Sequence, residues 1–179
     1  MNFLTQCSNY GVEYSTLDFE LTGEIYDSGR HFNGIGLDFI QYPSTIQLFA
    51  YTNESFTDMD ELSCWTSGGQ TIYLEISFFA KFIDKQKLKD FYLMWGVDWR
   101  GFFIRASIRN IKEASTQFSE LDFYQKRGVI NDYIQASLSE LFMRLSEGAL
   151  NVTEVQMRKI ELDSDLERAV ESKLIELQS

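Results

Sequence analysis

The sequence predicts an α+β domain in which a mixed, strongly bent, antiparallel-rich sheet carries packed helices and closes on an outgoing amphipathic helix. Three observations carry this expectation. Between Tyr10 and Tyr51, short apolar pieces are punctuated by Gly11, Gly23, Gly29, Gly34 and Gly36, as strands and turns require. From Thr71 onward apolar residues alternate with period two, and after Lys85 the period shifts to three and four. With 179 residues, 44% hydrophobic and 15% aromatic, the chain can bury a core of its own.

Taken in order, Asp27-Ser28-Gly29-Arg30 reads as a tight turn, because Gly29 can adopt positive φ without a Cβ clash. Ile46, Leu48 and Ala50 alternate with Gln47 and Phe49, a strand with its core face on the first set. Asn53 to Leu62 is acidic and weakly patterned, so a surface loop is expected. Cys64 to Gln70 followed by Thr71 to Ile83 reads as a hairpin. Its long strand places Ile72, Leu74, Ile76, Phe78, Ala80 and Phe82 on one face.

Leu88, Phe91, Tyr92 and Trp95 mark a helix stopped by Gly96, and a second helix starts near Trp99 and passes through Phe102, Phe103, Ala106 and Ile111. A third, longer helix is outlined by Phe123, Ile130, Tyr133, Ile134, Leu138, Leu141, Phe142 and Leu145, and Gly148 closes it. Asn151 to Leu162 is slightly out of alternation, which suits a strand with a bulge. Ser164-Asp165-Leu166-Glu167 forms a capping box that starts a last helix. That helix carries Leu166, Val170, Leu174 and Leu177 at steps of four, four and three and is still running at Ser179. The expected division is a body over 1–162, strand-rich over 10–83 and helix-rich over 84–162, followed by the start of a coiled coil over 163–179.

Charge narrows the partners. The chain carries −11 overall. Up to Leu62 one cation, Arg30, stands against ten acids; Ser63 to Lys112 holds eight Lys/Arg against four acids; the remainder holds seven against thirteen. An acidic first third is repelled by phosphates, so nucleic acid is not expected as a partner. Cys7 and Cys64 have no metal or disulfide spacing, and a single histidine, His31, leaves no material for most metal or nucleophilic mechanisms. No cofactor and no enzymatic activity are expected. Glu161 with Asp163 could supply an acid and a base, but both flank a helix start, where acids meet the helix dipole favourably. No run reaches the roughly 18 to 20 apolar residues that span a bilayer.

Tyr10-Gly11-Val12, Gly23-Glu24-Ile25 and Ser28-Gly29-Arg30-His31-Phe32 resemble the opening strand and turn of the SPFH (band 7) superfamily of stomatins, prohibitins and flotillins, and Thr66-Ser67-Gly68-Gly69-Gln70 resembles its hairpin. Arg127 with Val129-Ile130, Ile134, Leu138 and Leu141 resembles its helix, Val152 to Leu162 its following strand, and Ala169-Val170-Glu171-Ser172-Lys173 with Gln178 the start of its coiled coil. Gly68 stands where the family hairpin usually has aspartate, and Asp163 where the strand usually ends in proline.

The resemblance implies a non-enzymatic, membrane-associated scaffold that assembles with itself, with related subunits or with membrane proteins of a larger complex. The seam of Leu166, Val170, Leu174 and Leu177 is the expected interface, because such a stripe needs a cover. Membrane contact is expected through an anchor outside these residues or through the apolar N-terminus, Phe3, Leu4 and Cys7. Gly29, Thr66, Gly69, Arg127 and Lys173 are expected as structural markers. The alternatives are an accessory subunit of a membrane complex, with the mitochondrial inner membrane as one candidate location, and a self-contained α+β ligand-binding or inhibitor module.

Overall fold

The computed structural model describes residues 8–31, 34–55 and 57–162. Among these residues the elements follow in the order β1 (Asn9–Ser15), β2 (Glu20–Tyr26), β3 (Leu37–Pro43), β4 (Gln47–Tyr51), β5 (Leu62–Trp65), β6 (Thr71–Phe82), a 3₁₀ turn (Lys85–Lys87), α1 (Leu88–Trp95), α2 (Trp99–Ser115), α3 (Glu120–Gln125), α4 (Arg127–Leu145) and β7 (Leu150–Leu162). The expected α+β class is the one observed. The strands form two antiparallel sheets, one ordered β2-β1-β3 and one ordered β4-β6-β5, with β7 also pairing β6.

The chain divides into two compact units. One takes the residues up to 47, 80–103 and 142–152; the other takes 48–79, 104–141 and those from 153 onward. In the first unit, β1 and β3 pair in unbroken register from Asn9↔Pro43 to Ser15↔Leu37, while the β1–β2 register shifts between Val12 and Tyr14. Its core is aromatic. Phe82 meets Tyr42, Phe91 and Trp99 edge-on at 5.6, 5.1 and 5.3 Å between ring centroids, and Phe103 meets Phe142 at 5.0 Å. Edge-on contact sets the positive rim of one ring against the negative face of the next. Two polar handles are paired: the Tyr42 hydroxyl donates to Gly96 O at 2.8 Å, and Trp95 Nε1 donates to Leu145 O at 3.0 Å. Gly96, at φ 63°, ends α1 as expected.

The second unit is built on the first part of β6, where Ile72, Leu74, Ile76 and Phe78 are fully buried. They share a core with Ile111 of α2, Phe123 of α3, Ile130, Ile134 and Leu138 of α4, and Val155 and Met157 of β7. In β7, Thr153 and Glu154 are both exposed between buried Val152 and Val155, so the alternation slips by one residue where a bulge was expected.

Three expectations are corrected. In β4 the core face is not the Ile46, Leu48, Ala50 set: Ile46 and Leu48 are exposed, whereas Phe49 and Tyr51 are fully buried along with Ala50. The aromatics prevail because Phe49 stacks on Phe78 at 4.8 Å and the Tyr51 hydroxyl hydrogen-bonds Ser107 Oγ at 2.6 Å. The single long third helix is two helices, broken at Lys126, whose N–H bonds Asp122 O at 2.7 Å. Phe123 and Ile130 lie seven residues apart and so keep one face across the break, which hides it from the pattern. Tyr133, placed on the buried stripe from sequence, is exposed.

Candidate interaction surfaces

The hairpin motif is a latch. Thr66 N–H donates to Gln70 O at 2.9 Å, Gly69 N–H donates to Thr66 O at 3.0 Å, and Gly69 holds φ 76°. This is a three-residue loop whose last position needs a left-handed residue, so Gly69 serves the turn geometry expected of it. Thr66, almost fully buried, also donates its hydroxyl to Glu120 Oε1 at the start of α3, and Ser67 N–H donates to Phe118 O at 2.8 Å. The glycine at 68 has a reason: a Cβ there would lie 2.6 Å from Glu120 Oε1.

Arg127 is a clamp. Its guanidinium donates to Met157 O and Arg158 O at 2.5 and 2.6 Å, tying the first turn of α4 to β7, and Asn131 Nδ2 adds Val155 O at 2.9 Å one turn later. Gly29 holds φ 153° just after β2, where Asp27 pairs with Lys85 at 2.6 Å. Thr66 and Arg127 therefore hold backbone in place, and Gly69 supplies the left-handed position of the turn. Glu161, a candidate acid from the sequence, is ion-paired with Lys159 near the exposed end of β7. Asp163, Lys173, the Leu166, Val170, Leu174, Leu177 seam and the N-terminal Phe3, Leu4 and Cys7 lie outside the described residues. Among the described residues, no cluster of His, Cys, Asp and Glu is arranged to hold a metal ion, and no helix is long and apolar enough to cross a membrane.

One surface was not foreseen. The β1–β2 turn and the β2–β3 connection meet at one end of the three-stranded sheet and present Leu17, Phe19 and Ile35 at 71%, 76% and 102% relative exposure. The two loops are stapled by Thr16, whose N–H and Oγ1 both donate to Gly36 O, at 2.8 and 2.9 Å. Ser15 Oγ and Asp18 Oδ2, 2.9 Å apart, brace the turn. Phe19 stands at φ 58°, a left-handed conformation that a bulky residue adopts only at a cost, and Gly36 leaves room for the Leu17 side chain. The available signal was a tight turn carrying leucine and phenylalanine where turn residues normally stand.

Residues 6–179 match the model of the SPFH domain / Band 7 family. The chain belongs to that family. No curated protein matches the sequence. SPFH proteins are in general membrane-associated, scaffold-like and non-enzymatic, and they typically assemble with themselves and with related subunits. Within this SPFH domain, Thr66 and Arg127 hydrogen-bond to backbone and to neighbouring elements.

Proposed function

We propose that this SPFH domain is a non-catalytic scaffold piece that seats on a bilayer through the Leu17, Phe19, Ile35 tip and joins copies of itself or related subunits through residues 163–179, whose sequence carries the Leu166, Val170, Leu174, Leu177 spacing. The observation that carries the membrane contact is the stapled tip. Three large apolar side chains are held in water by a braced pair of loops, one of them at strained φ, and a lipid interior removes that exposure. Burying each is worth about 1.5 to 3 kcal/mol. The neighbouring Asp18, Glu20 and Asp38 oppose attraction to anionic headgroups, so the contact is apolar and insensitive to salt.

The test is flotation with phosphatidylcholine vesicles. The unaltered chain is expected to float, and a variant with Leu17→Asp, Phe19→Asp and Ile35→Asp is expected to stay at the bottom with an unchanged melting temperature. Equal flotation of the triple variant would eliminate the tip, and a chain lacking residues 1–7 would then test Phe3, Leu4 and Cys7.

A further inference from the structure

Apart from the bilayer contact, we infer that the groove between β5 and α2 receives an extended acidic segment of a partner protein, which adds a strand to the open edge of β5. β5 is an outer strand of its sheet. The Thr66 N–H to Gln70 O bond fixes its hydrogen-bonded phase, with Cys64 opposite Ile72 and Leu62 opposite Leu74. Hydrogen-bonded residues alternate along an antiparallel pair. The backbone N–H and C=O of Leu62 and Cys64 therefore address β6, and those of Ser63 and Trp65 point to the open side. No second strand pairs β5 among the described residues.

A groove of about 420 Å³ runs beside this edge, lined by Ser63, Cys64, Trp65, Lys112, Glu113 and Thr116. It falls within the size range of ligand-binding pockets. The buried Cys64 thiol, whose pKa is raised by burial, behaves there as a small apolar group. Trp65, 65% exposed, offers a rigid aromatic face at the rim.

The helical wall supplies the selectivity. Lys112 lines the groove from the last turn of α2 and Thr116 from just past its end, while Arg109 and Arg105, three and seven residues before Lys112, continue the same exposed helix face beyond the groove lining. From Arg105 to Lys112 the charged stripe is about 10 Å long at the helical rise, the reach of about three extended residues. No salt bridge among the described residues involves Arg105, Arg109 or Lys112. Glu113 is the acid lining the groove, so the ligand's carboxylates pair along Arg105, Arg109 and Lys112 and avoid that point. An open strand edge calls for main-chain donors and acceptors at strand spacing, which an extended peptide has and a lipid lacks. The basic stripe selects acids on that peptide, and the groove takes its apolar residue.

The probe is a fluorescein-labelled peptide of eight residues alternating valine and glutamate, titrated with the full chain by fluorescence anisotropy. Saturable binding is expected, weakened about tenfold or more when ionic strength rises from about 0.05 to about 0.5 M, and weakened similarly by Arg105→Glu with Arg109→Glu. Slowed hydrogen exchange is expected at the Ser63 and Trp65 amides. Three results would overturn the inference: no saturable binding, equal binding of a valine-lysine peptide or by the reversed variant, or unprotected Ser63 and Trp65 amides. Vesicles containing phosphatidylserine that bind through the stripe while the peptide does not would assign it to anionic lipid instead. If the reversed variant melts early, Arg105→Gln with Arg109→Gln replaces it.

Discussion

At the scale of single residues, Thr66 and Arg127 bond to distant parts of the chain. Thr66 and Arg127 could be singled out as polar markers in apolar patterns, but their partners, Glu120 and the carbonyls of residues 157 and 158, lie about 30 to 54 positions away and no local spacing encodes them. The departure at Gly68 becomes intelligible only with Glu120 in place. Aspartate there would crowd the Glu120 carboxylate and set a like charge beside it, so Gly68→Asp is expected to cost about 1 to 3 kcal/mol in denaturant unfolding. Glu120→Gln should recover part of that loss in a double-mutant cycle, and strictly additive effects would refute the contact. A second residue-scale expectation concerns Asp122, whose carboxyl is held down at about 2 by Lys126 and then by the Ser119 hydroxyl and N–H. A depressed folded-state pKa stabilises the fold above the unfolded value of 3.8 and is lost as pH falls toward about 2. Wild-type stability should therefore drop across that window more steeply than that of Asp122→Asn.

At the scale of elements, legibility followed the length of the periodic signal. β6 was readable because six alternations leave no helical alternative, and all six of its predicted core residues are buried. β4 was misread because both of its faces are apolar; ring stacking on Phe78 and the Ser107 hydrogen bond, rather than hydrophobicity, chose between them. Phe49→Ala is accordingly expected to cost about 3 to 5 kcal/mol, and Ile46→Ser less than about 0.5 kcal/mol. Chemical denaturation of the two variants checks this, and a reversed order would restore the discarded face. The break between α3 and α4 was invisible because it preserves the apolar phase, while the Ser119–Asp122 capping box that opens α3 was legible in principle.

At the scale of the whole molecule, the sequence carried the class and the family but not the division into two units, since β6, α2, α4 and β7 each contribute residues to both. Nor did it carry the tip, because Leu17, Phe19 and Ile35 are separated along the chain and meet only when Thr16 binds Gly36. The scaffold reading rests on that tip entering lipid. The most direct measurement places an environment-sensitive nitrobenzoxadiazole dye at Ile35→Cys, with Cys7→Ser and Cys64→Ser removing the other thiols, and adds phosphatidylcholine vesicles. Brighter, blue-shifted emission quenched by spin-labelled lipid is the expected result; emission unchanged by vesicles that the chain nevertheless binds would contradict membrane seating through this tip.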